Sequence, residues 1–245
     1  MRRALRALSA VLIVTGVLLV LDAVLTVVWQ EPVTAIYGKV RQNQLGGDLS
    51  KLNRLPLSLA ERGALKVLRS DPQRIDFLAR SMRRHIHDGQ AIGRLKIPHI
   101  HTNYVMVEGT DAASLRKGPG HYPATPLPGM AGTVAVAGHR TTYLAPFNKL
   151  DKLRKGDRVR VEMPYAIVTY RVERTRIVKP TAVWVTRRVG YDRLVMTACH
   201  PKYSAAKRIA VFARQVSERE RGLSARIRRG PAVRRAASAP PLSRR

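Results

Sequence analysis

The chain has a single cysteine, Cys199, in 245 residues, only 16 acidic residues, three phenylalanines and two tryptophans. One thiol excludes an intrachain disulfide framework and a Cys-rich metal site. The absence of an internal repeat excludes an array architecture. Acidic residues are outnumbered by 45 Lys and Arg, mostly Arg, which leaves a formal charge of +29. Such an excess calls for an anionic partner, either nucleic acid or an acidic membrane surface. The chain is 45% hydrophobic, enough for a packed core, so wholesale disorder is excluded.

The first thirty residues bear on the compartment. Arg2, Arg3 and Arg6 precede an apolar run from Leu8 to Trp29, interrupted by one charge, Asp22. As a helix that run spans roughly 33 Å, enough for a hydrocarbon core of about 30 Å. It exceeds the apolar core of a secretory signal, and Val-Val-Trp-Gln-Glu-Pro offers no small-x-small cleavage site. An uncleaved anchor over residues 1–30 is therefore expected. The basic cluster would stay cytoplasmic and the body would lie outside in a single-pass arrangement. In that compartment the charge meets lipid headgroups and wall polymers, and nucleic acid is not an expected partner.

Residues 31–90 read as a helical juxtamembrane stalk or linker, either free-standing or packed on the next domain. Pro32 opens a helix through Ile36, Val40 and Leu45 that Gly46-Gly47 is expected to break. Leu65, Leu68, Ile75, Leu78 and Met82 recur at helical spacing, with Asp71 as the expected cap before Pro72. From Ala91 the texture becomes short Val/Ile/Thr runs between Gly and Pro. Strands are expected at 93–97, 104–107, 133–137, 158–163, 167–172, 177–178, 194–197 and 209–213. Eight short strands between turns point to a mainly β fold, a closed barrel over 91–216. Residues 217–245, rich in Arg, Ala, Ser and Pro, read as a flexible basic tail.

Cys199 ends the run Leu-Val-Met-Thr-Ala, and Pro201 should stop that strand. A lone cysteine is often a small core residue. An exported thiol at a strand end is also a candidate nucleophile, because it must resist oxidation. His139, in Val-Ala-Gly-His-Arg, ends another strand and supplies a group that gives and takes protons near neutral pH. His200 adjoins the cysteine but belongs to the opposite strand face. The pairs His85/His87 and His99/His101 lack cysteines or carboxylates at ligand spacing, so no metal is expected. Arg208 begins the next apolar run, and a hairpin of about nine residues would return its guanidinium to Cys199 as an oxyanion donor.

These residues sit in segments whose order resembles the sortases, membrane-anchored cysteine transpeptidases, most closely the actinobacterial class E type. The segments are IGRLKIPHI (92–100), VMVEGTDAASLRKGPGHYPATPLPGMAG (105–132), AGHRTTYLAPFNKLDKLRKGD (137–157) and MTACHPKYSAAKRIAVFA (196–213), with WQEPVTAIY (29–37) before them. The resemblance implies an eight-stranded sortase-type barrel with Cys199 as nucleophile, His139 as acid and base, and Arg208 as oxyanion donor. Tyr143 matches a class E tyrosine associated with Leu-Ala-x-Thr-Gly over Leu-Pro-x-Thr-Gly signals. Thr197 and Ala198, in the Thr-Ala-Cys signature, are the further candidates for substrate contact. Ala198 stands where many relatives carry a hydroxyl.

The implied reaction cleaves a sorting signal between Thr and Gly and joins the protein to a peptidoglycan amine, without a cofactor. The implied partners are signal-bearing surface proteins, a lipid-linked wall precursor and membrane lipid. A sortase-like hydrolase, a pilin-polymerising enzyme and an idle wall-binding module are the alternatives.

Overall fold

The computed structural model describes residues 2–29 and 32–227. Helix α1 (Arg2–Trp29) is long and apolar enough over Arg2–Val24 to cross a membrane, and none of that stretch is buried against the rest of the chain.

Helix α2 (Pro32–Leu52) runs unbroken through Gly46 and Gly47, contrary to the expected stop. A glycine inside a helix costs about 1 kcal/mol. Leu45 and Leu49 bury themselves against Ala91, Val105 and Val107, at roughly 1.5–3 kcal/mol per side chain, so packing overrides propensity. The Gln42 side chain accepts from the Val105 N–H (2.8 Å) and donates to the Val105 and Lys117 carbonyls (3.0 and 2.8 Å). It thereby satisfies backbone groups that no strand reaches. The segment before the barrel is thus docked on it rather than free-standing.

Helices α3 (Leu59–Val67) and α4 (Asp71–Arg83) each open on a reciprocal cap, Ser58 with Glu61 and Ser70 with Gln73. The cap of α4 is Ser70 and not Asp71. Ser70 has a glutamine three residues on to answer its backbone N–H, whereas Asp71 would face Arg74. Buried Arg74 ties this hairpin to the barrel through Glu220 (2.7 Å) and the carbonyls of Leu65, Ser224 and Ile227.

The barrel is closed in the order β1-β2-β3-β4-β7-β8-β6-β5. Its strands are β1 (Ala91–Ile97), β2 (Thr102–Glu108), β3 (Gly120–His121), β4 (Thr133–Ala137), β5 (Arg158–Glu162), β6 (Ala166–Val178), β7 (Arg193–His200) and β8 (Lys207–Glu220). The expected eight-stranded barrel is present, with a different membership. The runs expected at 167–172 and 177–178 are one strand, β6, carried past a register shift between Val172 and Arg174. The eighth strand is β3, whose two residues are too few to show any alternation.

On β7 and β8, Leu194, Met196, Ala198, Ile209, Val211 and Ala213 fill the interior. Val195, Ala210 and Phe212 face outward beneath Val185 of the β6–β7 connection, with Trp184 stacked on Phe212 at 6.1 Å. The expected tail boundary at Ser217 is too early. Strand β8 pairs with β6 as far as Glu220, and Ile227 packs on the core. The rest of the expected tail, residues 228–245, lies outside the described residues.

Candidate active site

Strands β4 and β7 run parallel with Ala137 opposite Thr197, and the Gly138 N–H donates to the Thr197 carbonyl at 3.0 Å. Two residues further along both chains, His139 reaches the level of Cys199. Strands β7 and β8 are antiparallel, and Cys199 opposes Arg208 directly. Directly opposed residues share a face with Cβ atoms about 4.5–5.5 Å apart. Strands β7 and β8 and the loop leaving β4 therefore bring His139, Cys199 and Arg208 to one level at one end of the barrel. Cys199 has the parity of outward-facing Val195, and Arg208 that of Ala210 and Phe212. The thiol is free and half-buried, open enough to be reached.

His139 is held by a loop folded back on itself. Its carbonyl accepts from Phe147 N–H (3.1 Å). A Cβ on Gly138 would stand 2.6 Å from the Phe147 ring, so only glycine lets the strand turn into the loop there. Tyr143, Leu144 and Ala145 all lie in the left-handed region, at φ 49°, 65° and 40°. Such backbone persists only where its surroundings over-determine it. Here Tyr143 N–H donates to Thr34 Oγ1 of α2 (3.3 Å), and Tyr104 Oη donates to the Leu144 carbonyl (3.1 Å). The Tyr37 ring meets Tyr143 edge-on at 6.0 Å.

The His139 ring lies 5.1 Å from the Tyr143 ring, and its buried Nε2 has no hydrogen-bond partner among the described residues. Burial, then the nearby Arg116 guanidinium, push its pKa below the ordinary imidazole value. The ring is thus biased toward the neutral form.

Arg208 is half-buried and donates through Nη1 to the Ala205 and Lys207 carbonyls of its own hairpin (2.9 and 3.0 Å). Arg140, absent from the expected set, braces the row from behind. It is buried, paired with Asp151 (2.9 Å), and donates to the Cys199 carbonyl (3.2 Å) and to His200 Nδ1 (2.9 Å). His200 is thereby occupied on the other side of the strand. Thr197 is buried and shares a hydrogen bond with Tyr122 Oη (3.0 Å). Ala198 packs into the barrel interior, on the face opposite Cys199, which removes it from the expected substrate contacts. Tyr143 lines the loop beside His139.

Arg140, Arg116, Tyr122 and Thr34 carried no sequence signal, because their partners are distant in the chain. Among the described residues, no cluster of His, Cys, Asp and Glu could hold a metal ion. A cavity of about 650 Å3 under α3 and α4, lined by Leu52, Phe77, Met82 and Tyr165, contains none of the row.

The arrangement is a thiol with an imidazole on one flank and a guanidinium on the other, a set suited to acyl transfer. Residues 95–216 match the sortase domain family. Sortase D of Bacillus subtilis (strain 168) is 37% identical over 133 residues, covering 53% of this chain and 66% of that protein. Sortase SrtE1 of Streptomyces coelicolor is 30% identical over 149 residues, covering 54% of this chain and 42% of its own. The chain thus spans less than two thirds of either relative. A solved Clostridium perfringens Sortase D5 transpeptidase shares the fold, with a TM-score of 0.59 at 19% identity over 73% of this chain and 99% of that one. The chain belongs to the sortase family.

Proposed function

We propose that this chain is a membrane-anchored cysteine transpeptidase that cuts a Leu-Ala-x-Thr-Gly-like, or Leu-Pro-x-Thr-Gly, sorting signal between Thr and Gly. It then joins the new carboxyl end to a peptidoglycan amine. The observation that carries the reading is the register that sets His139, just past the end of β4, level with Cys199, and Cys199 opposite Arg208. In the first half-reaction Cys199 thiolate attacks the Thr carbonyl, and Arg208 N–H groups stabilise the negative oxygen. Protonated His139 gives its proton to the departing glycine amine as the C–N bond breaks. In the second, an amine attacks the thioester, its proton passes to His139 Nε2, and the sulfur leaves as thiolate. The pair of half-reactions restores the starting protonation state.

Helix α1 supports an anchor, and Arg2, Arg3 and Arg6 before its apolar run support an amino terminus inside and a barrel outside. Substrate and lipid-linked precursor would share that membrane, which raises their effective concentration at the enzyme. The similarity to Sortase SrtE1 supports the class E reading, and the Leu-Ala preference rests on the resemblance of Tyr143 to a class E tyrosine.

The test is incubation of the full chain in detergent with paired Leu-Ala and Leu-Pro sorting peptides, with and without an amine. A mass adduct on Cys199 and an amide product are expected, and Cys199→Ala gives neither. If the product remains the free acid when amine is present, the enzyme is a hydrolase. If no adduct forms, the enzymatic reading fails.

A further inference from the structure

The candidate site contains a second guanidinium that the acyl-transfer scheme leaves without a task. Arg116 follows the short helix α5 (Ala112–Leu115) in the β2–β3 connection and is exposed, with its guanidinium 5.9 Å from the centre of the Tyr143 ring. The His139 ring lies against that same ring at 5.1 Å, tilted by 43°. No carboxylate among the described residues pairs with Arg116. Its nearest acid in sequence, Asp111, is committed to capping α5 through Ala113 N–H, Ser114 N–H and Ser114 Oγ. The free cation thus sits on the His139 flank of the row, away from Arg208. In the transpeptidase reading that is the flank on which the amine enters, since His139 takes its proton; the buried Nε2 has no other partner among the described residues.

We infer that Arg116 selects the acyl acceptor, binding a carboxylate carried on the carbon next to the attacking amine, so that the acceptor is an amino-acid-type amine rather than a simple alkylamine. The inference rests on the transpeptidase reading above and extends it to the second substrate. A guanidinium holds a carboxylate by paired N–H donors in a fixed orientation. With the carboxylate fixed, the adjacent nitrogen is delivered to the thioester carbonyl and its proton to His139 Nε2. The same positive charge favours the uncharged amine, the form that attacks, and the neutral imidazole that must receive the proton. The amine nitrogen bonds to the carbonyl carbon, the carbon–sulfur bond breaks, and the thiolate departs.

The experiment measures transfer from a preformed Cys199 acyl-enzyme to glycine and glycinamide, and to D-alanine and D-alaninamide, in the full chain and in Arg116→Gln and Arg116→Lys. The readout is the ratio of kcat/KM for each acid over its amide, compared between proteins so that the intrinsic difference between the two amines cancels. Arg116→Gln is expected to lower that ratio about tenfold, mainly through the acceptor KM, as loss of one charge-assisted contact does. Arg116→Lys is expected to restore part of it, and added salt to shrink the wild-type ratio, since the site is exposed. A ratio unchanged in Arg116→Gln overturns the inference. So does a change seen only between sorting peptides bearing Glu and Gln at the variable position, which would assign Arg116 to the signal. Failure to form any acyl-enzyme instead sinks the transpeptidase reading, and the two failures are told apart by the adduct on Cys199.

Discussion

Arg208 donates through one nitrogen, Nη1, to the carbonyls of Ala205 and Lys207 in its own hairpin. Its proposed task is to meet charge that exists only while the carbonyl is tetrahedral. Arg208→Ala should therefore lower kcat for acylation by about 10²–10³, the range for one oxyanion donor, while KM moves little. Arg208→Lys keeps the charge and loses the fork, so it should fall between, as stopped-flow measurement of adduct formation will read. His139 makes a separate demand. Its lowered pKa means that the imidazolium needed to expel the glycine amine is depleted as pH rises through a value below the ordinary 6.5. Acylation should fall along that limb. Removing the Arg116 charge should raise the pKa and move the limb to higher pH, as a pH profile of adduct formation will record. Cys199, His139 and Arg208 could be singled out in the sequence because each lies at or beside a strand end in a recognisable motif, and the strand register sets them level. Arg116 and Arg140 were not, since an Arg in so basic a chain carries meaning only through what folds beside it.

Helix α2 is the element whose importance the amino-acid pattern hid. Its first turns clamp the Tyr143 loop through Thr34, Tyr37 and Gly38. A Cβ on Gly38 would lie 2.8 Å from Leu144 Cγ and 3.3 Å from the Tyr143 carbonyl carbon. Gly38→Ala gains about 1 kcal/mol of helix propensity and loses roughly 1–3 kcal/mol to overpacking. Melting temperature should consequently shift by only a few degrees. The displaced loop carries His139, however, and a misplacement of about 1 Å can cost ~10²-fold in rate. Turnover falling tenfold or more with a nearly unchanged melting curve is the expected result. The glycine pair at 46–47 misled because local propensity was outweighed by Leu45 and Leu49, whose partners on β1 and β2 are dozens of residues away.

At the scale of the whole molecule, Arg74 joins the pre-barrel helices, β8 and the end of the described chain in one buried cluster. Arg74→Leu would strand Glu220, whose side chain is 9% exposed, without its cation. Losing one partner of a buried pair costs about 3–5 kcal/mol, which in a domain of this size lowers the melting temperature by roughly 6–20 °C. Adding Glu220→Gln should recover part of that loss in a thermal melt, because the uncompensated charge is gone. The barrel itself was legible as a count of strands but not as a list, since β3 is only two residues long and β6 continues where its alternation falters. The parallel β4–β7 ladder has a consequence in time. His139 and Cys199 are brought abreast across sixty residues of intervening chain, and parallel pairing of that span forms slowly. A nascent or half-zipped polypeptide would therefore carry an inert sulfhydryl, and the ability to cut a signal peptide would switch on only at closure, making activity its own certificate of maturation.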